Sequence, residues 1–179
     1  MLMNILLPKT GKRKALYIVD VQPAFLDERN KHIVENITNL LKQSDYDLYI
    51  TAIFYSKEGD LWEKHRGHTV PKDNDTRTVD EIEELLEAHN PVRVTKQTRS
   101  GFRGDIDLTE VLQENNIEEV HIVGTQTNDC IFATAIDAFD SGLYPYVIEE
   151  CCESSTKELH EMGIALLRRQ KMTNHSYLK

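Results

Sequence analysis

The sequence predicts an α/β fold: three layers, α/β/α, around a six-stranded and mostly parallel sheet. Three observations predict it. Short apolar runs alternate with longer segments whose apolar residues recur at helical spacing. The runs are nearly free of polar residues, as strands buried on both faces are. The strand–helix alternation occurs six times, the order that winds a parallel sheet with helices on both faces.

Ala15 to Val21, ALYIVDV, is the first strand, with Asp20 near its C-terminal end and Pro23 breaking it. Ile33, Ile37, Leu40 and Leu41 predict a helix from Lys31 to Lys42. Leu48 to Tyr55 is the second strand. Ser56 to Thr78 reads as one long irregular polar stretch holding Gly59, Gly67, Pro71, Trp62, His65 and His68. A loop of that length in a compact domain is usually functional or disordered. Val79 to His89 is helical and stopped by Pro91, and Val92 to Thr95 is a short strand running into Lys96.

Gln97 to Asp107 is a second polar loop, and Asp107 can cap a helix from Leu108 to Asn115. The strand Glu119 to Val123 turns through Gly124-Thr125-Gln126-Thr127 into a helix from about Asn128 to Ser141, which Gly142 ends. That helix is apolar nearly all round, so it should be well buried. Tyr144 to Ile148 is the fifth strand. Ser154 or Ser155 can cap a helix to about Gln170, and Thr173 to Tyr177 would be the sixth strand. Residues 1–13 read as a tail or an added edge segment. With no linker, repeat or boundary, residues 1–179 form one domain.

The totals bound the function. A net charge of −9 argues against nucleic acid or an anionic membrane as partner, since both need clustered Lys and Arg. No apolar run approaches the ~20 residues of a membrane span. Basic residues follow the apolar opening Met1 to Leu7 instead of preceding it, so a signal peptide is not expected. Three cysteines without a C-x-x-C pattern point to a reducing, cytoplasmic setting.

Chemistry should gather beyond the strand C-termini. Three reactive residues fall there: Asp20, Lys96 and Cys130. A cysteine near a helix start feels the positive end of the helix dipole, which favours thiolate. Asp20 could take the thiol proton, and Lys96 could hold the carboxylate and stabilise the thiolate. Each has a plainer reading. Free cysteines are mostly inert and buried, a strand-end Asp often caps a turn, and a loop Lys is most often solvated. Phe25, Trp62 and Phe102 are candidate pocket walls, or ordinary packing. Arg99 and Arg103 are candidates for a substrate carboxylate. Cys151 and Cys152 have no partner pattern and read as incidental.

Three segments resemble the isochorismatase-like cysteine hydrolases, a family that includes nicotinamidases and carbamoyl-sarcosine amidohydrolases. Ile18-Val19-Asp20-Val21-Gln22 with Phe25 is similar to its D-x-Q-x-x-F opening. Lys96 with Ser100-Gly101-Phe102 is similar to its lysine loop. Gly124 to Ile131 is similar to its G-x-x-T-x-x-C-[VI] turn. The resemblance covers about residues 14–178. It implies Cys130 as nucleophile, Asp20 as general base and Lys96 as supporting cation. It implies a cis bond before the turn threonine, here Gln126–Thr127, with Thr127 and Cys130 N–H groups forming an oxyanion hole. Gln126 is placed with the aromatic walls as a substrate contact. The implied activity is hydrolysis of a small amide or ureido C–N bond through a thioester, by a homo-oligomer, dimer or tetramer.

The chain also departs from the family. Nicotinamidases carry an Asp-x-His metal pair just after the second strand, with a further His. Here that stretch is Phe54-Tyr55-Ser56. His65 and His68, with Asp60 near, could ligate a metal but are more simply solvated. The expectation is therefore a metal-independent enzyme without a cofactor. A nicotinamidase with an atypical metal site and a non-catalytic scaffold are the alternatives. Gln22-Pro23-Ala24 after the first strand is not G-x-G-x-x-G, which disfavours a dinucleotide-binding protein. His121 lies inside a strand, which disfavours a His-base hydrolase.

Overall fold

A computed structural model describes residues 5–70 and 76–177. Five parallel strands form one sheet: β1 (Lys14–Val19), β2 (Leu48–Phe54), β3 (Val92–Lys96), β4 (Glu119–Thr125) and β5 (Tyr144–Glu153). Their order is β3-β2-β1-β4-β5. The chain winds outward from β1 through β2 to β3, then starts again on the other side of β1 with β4. The order therefore reverses between β1 and β4, where ligands gather in open α/β sheets.

Strand side chains alternate between faces, which explains the apolar runs. Leu16 and Ile18 of β1 pack with α1 (His32–Gln43) and α3 (Asp80–Glu87) through Ile33, Ile37, Leu40, Ile82 and Leu86. Ala15, Tyr17 and Val19 face the opposite layer. That layer holds Leu108 and Leu112 of α4 (Leu108–Glu114), Ala135 of α5 (Phe132–Asp140) and Leu167 of α6 (Lys157–Arg169). Burial on both faces leaves no polar stripe for alternation to display.

The sheet has five strands, not the six expected. Thr173 makes only a bridge to Val147, and Asn174–Tyr177 is a 3-10 turn. The Asn174 amide takes the place of strand pairing: its Oδ1 accepts from Glu149 N at 3.1 Å, and its Nδ2 donates to Glu150 Oε2 at 2.9 Å. β5 runs further than Ile148. A register shift against β4 puts Gly124 opposite Cys152, and Cys151 and Cys152 are core residues. Thr156, not Ser154 or Ser155, caps α6 by accepting from Leu159 N. Residues 5–13 are not a loose tail: Ile5 and Leu7 pack on the core, and Thr10 Oγ1 donates to Glu119 Oε2 at 2.7 Å. The stretch read as an irregular loop contains α2 (Leu61–Arg66), capped by Asp60 and closed by Gly67 at φ +77°. Residues 71–75 of that stretch, Pro71 among them, lie outside the described residues.

Candidate active site

Asp20 directly follows β1 and has φ +53°, a left-handed conformation that Asp tolerates better than most residues. Its N–H donates to Ala52 O at 3.0 Å and its carbonyl accepts from Thr125 Oγ1 at 2.9 Å. These bonds tie it to β2 and β4 and turn its side chain over the sheet edge. Gln22 locks the same corner: its amide accepts from Phe54 N at 2.6 Å and donates to Phe54 O at 3.0 Å. Gly124 lets β4 come close to β1. A Cβ there would stand 2.1 Å from Val19 O, and its φ of +123° excludes other residues.

Lys96 ends β3, two strands from β1, and its length carries it across β2. Its ammonium lies 5.2 Å from the Phe54 ring centre, donates to Thr98 O at 3.2 Å, and reaches Asp20 Oδ2 at 2.6 Å. Both side chains are almost wholly excluded from water. A pair so buried persists only with good geometry and its other bonds made.

Cys130 lies in a π-helical turn, Thr127–Ile131, that leads into α5. The Gln126 carbonyl accepts from both Asp129 N and Ile131 N, at 3.0 and 3.1 Å. α6 closes on the turn from behind. A Cβ on Gly163 would stand 2.9 Å from Asn128 N, and His160 Nδ1 meets Thr127 Oγ1 at 2.9 Å. Cys130 and Asp20 are electrostatic neighbours, each shifting the other's titration. Asp20 Oδ1 has no hydrogen-bond partner among the described residues.

Burial pushes the Cys130 thiol well up, and the neighbouring Asp20 carboxylate adds to it; Lys96 opposes. Burial also raises Asp20, against the pull of Lys96. The helix start thus does not leave a standing thiolate, contrary to the expectation from the helix dipole. These directions leave the thiol neutral, with the Asp20 carboxylate as the negative charge that faces Lys96.

The other candidates divide. Phe25 and Trp62 meet Phe54 from two sides, with ring centres 6.1 and 4.6 Å away. Phe102 packs edge-on against Tyr17 at 6.5 Å, within the core cluster. The Gln126 side chain accepts from Ser155 N, in the loop before α6. Arg99 pairs with Asp129, but Arg103 pairs with Asp137 on α5. The cis bond is Thr125–Gln126, one position before the expected Gln126–Thr127. Sequence reasoning gave no role to Gln22 or to Arg66, whose Nη2 lies 3.6 Å from Asp129 Oδ2. Gln22 stood in the D-x-Q segment and could have been found. Arg66 carried no signal, because α2 was read as a loop. A cavity of about 560 Å³ lies here, lined by Leu61, Trp62, His65, Arg66, Gln97 and Arg99.

The isochorismatase domain model matches residues 14–175. The chain belongs to the isochorismatase family. An uncharacterised isochorismatase family protein of Bacillus subtilis is 27% identical over 170 residues, 86% of this chain and 93% of that protein. A nicotinamidase of Acinetobacter baylyi is 35% identical over 78 residues, 44% of this chain and 31% of that protein. An isochorismatase-like hydrolase from Alkaliphilus metalliredigens superimposes with a TM-score of 0.77 at 22% identity, covering 90% of this chain and 93% of that one. The pyrazinamidase of Pyrococcus horikoshii, solved with zinc, gives 0.76 at 21%, covering 90% and 97%.

Among the described residues, the side chains do not fit a metal of that kind. No three His, Cys, Asp or Glu side chains cluster as ligands among the described residues. Asp60 is already engaged, accepting from Glu63 N at 2.9 Å and Lys57 N at 2.7 Å. His68 Nδ1 meets Arg66 O at 3.2 Å, and His65 lines the cavity.

Proposed function

We propose that the chain hydrolyses the C–N bond of a small-molecule amide or ureido compound, with Cys130 as nucleophile. The observation that carries this is the buried Lys96–Asp20 pair, which neighbours the Cys130 thiol and keeps one carboxylate oxygen without a hydrogen-bond partner among the described residues.

Asp20 takes the thiol proton as sulfur attacks the carbonyl carbon, so the negative charge moves from carboxylate to the substrate oxygen and no second charge is buried. The substrate oxyanion needs donors at the turn. Cys130 N–H is one, and the second is Thr127 N–H or that of Gln126, whose amide belongs to the cis bond. The C–N bond breaks as the leaving nitrogen takes the proton from Asp20, releasing ammonia or an amine and leaving a thioester. Asp20, again a carboxylate, removes a proton from water as it attacks the thioester. The C–S bond breaks, the acid leaves and the thiol is restored. Phe25 and Trp62 are the proposed walls.

This route uses no metal. The test is an ammonia-release screen over small amides and ureido compounds, with Cys130→Ala in parallel. Turnover of an accepted compound should fall at least ~10³-fold in the variant. Turnover retained by Cys130→Ala would end the proposal, and a purified protein with stoichiometric zinc or iron would overturn the metal-free route.

A further inference from the structure

We propose that the substrate carries a carboxylate, held by Arg66 and Arg99 in the cavity beside Cys130. This rests on the hydrolase reading above and adds the charge class of its substrate.

The cavity runs against the charge of the molecule. The chain has net charge −9, yet the described residues lining this cavity include two arginines and a histidine and no Asp or Glu. Its walls connect to the candidate triad through two intermediaries, Phe54 and Asp129. Trp62 packs on Phe54, over which the Lys96 ammonium lies. Arg66 and Arg99 both contact Asp129, the residue before Cys130.

One carboxylate is shared by two guanidinium groups. Arg99 meets it through Nε, and Arg66 only at 3.6 Å through Nη2. A guanidinium has five N–H donors in a planar fork that matches a carboxylate, so donors remain on both. Among the described residues, with Lys96 and Asp20 cancelling, Arg66 and Arg99 against Asp129 leave one positive charge in surplus. In a concave site such a surplus attracts an anion.

The remaining polar groups agree. Arg66 lies over the Trp62 ring at 5.1 Å, which fixes its orientation. Trp62 Nε1 is a buried donor without an acceptor among the described residues. Gln97 adds an amide to the wall. Where nicotinamidases are expected to carry metal ligands, after the second strand, this chain leads into α2, which gives the cavity Trp62, His65 and Arg66.

Iodoacetate and iodoacetamide test this without turnover. Both alkylate a thiolate by displacing iodide, and they differ in charge. The readout is the ratio of their rates at Cys130, divided by the same ratio for 2-mercaptoethanol, a neutral thiol. We expect this quotient to exceed ten at low ionic strength and to fall with added sodium acetate. In Arg66→Gln and Arg99→Gln it should fall several-fold toward one, and Arg99→Lys should keep part of it. Taking a ratio on each variant cancels any general loss of reactivity. A quotient near one in the wild type, or one unmoved by both glutamine variants, overturns the anion site while Cys130 still reacts. Cys130 inert to both reagents overturns the nucleophile assignment and this proposal with it.

Discussion

At its N-terminal end the sheet buries Glu119 and His121; at its C-terminal end it buries Asp20 and Lys96. Both pairs meet at 2.6 Å and are almost wholly hidden from water. They differ in how completely their hydrogen bonds are made. Glu119 Oε1 meets His121 Nε2, and Oε2 accepts from Thr10 Oγ1. His121 Nδ1 meets Tyr46 Oη at 3.0 Å. Each of those side-chain atoms has a partner. At the other end Asp20 Oδ1 has no hydrogen-bond partner among the described residues. A buried polar network that is fully satisfied rigidifies a fold, whereas a group left short of partners calls for a separate explanation. Completeness of bonding, more than burial or charge, distinguishes the structural pair from the reactive one.

The largest effect should come from the reactive end. Asp20→Asn keeps the shape and removes the base, so kcat/KM should fall about 10³-fold, within the range for a lost general base. The acid limb of the wild-type pH profile should lie above the ordinary carboxylate range, since burial raises Asp20, and should vanish in the variant. Turnover by Asp20→Asn near the wild-type rate would break the comparison, because both ends would then be structural.

Lys96→Met comes next and is read as stability. Removing one partner of a buried pair costs roughly 3–5 kcal/mol. Lys96 is what lowers Asp20 against burial, so the carboxyl rises further without it, while the unfolded chain titrates near 3.9. The folded variant holds a proton that the unfolded chain releases. Its deficit should be absent below about pH 4 and grow as the pH rises through the folded Asp20 value. Urea midpoints at pH 4 and pH 8 measure this, and a deficit equal at both would assign the loss to packing.

The same contrast explains what the sequence made legible. The parallel layers were readable because residues such as Leu16, Ile18, Ile50 and Ile122 sit in runs buried on both faces. Asp20, Lys96 and Cys130 were readable because each ends a strand or opens the segment after one, and strand ends share an edge. Helix α2 was missed because its six residues, LWEKHR, bury none of their side chains fully and show no apolar period. Its existence depends on the Asp60 cap and Gly67. The sixth strand was expected from composition, but Asn174 meets β5 with its side chain instead of its backbone. Bond completeness itself depends on partners far apart in the chain, such as Thr10 with Glu119, so no local pattern carries it.

The smallest effect tests the structural end. Burial pushes His121 below its ordinary value, against Glu119. The neutral ring then donates from Nε2 to Glu119, which leaves Nδ1 to accept from the Tyr46 hydroxyl. Tyr46→Phe removes one donor and leaves that lone pair buried, at a cost of about 1 kcal/mol. In a domain of this size the melting temperature should drop by roughly 2–4 °C. Ammonia release and Cys130 alkylation at 25 °C should not change, because Tyr46 packs with the α1 layer at the opposite end of the sheet from Asp20. Loss of turnover in a variant that is still folded at the assay temperature would mean that the saturated end controls the reactive one, and the division between them would fail.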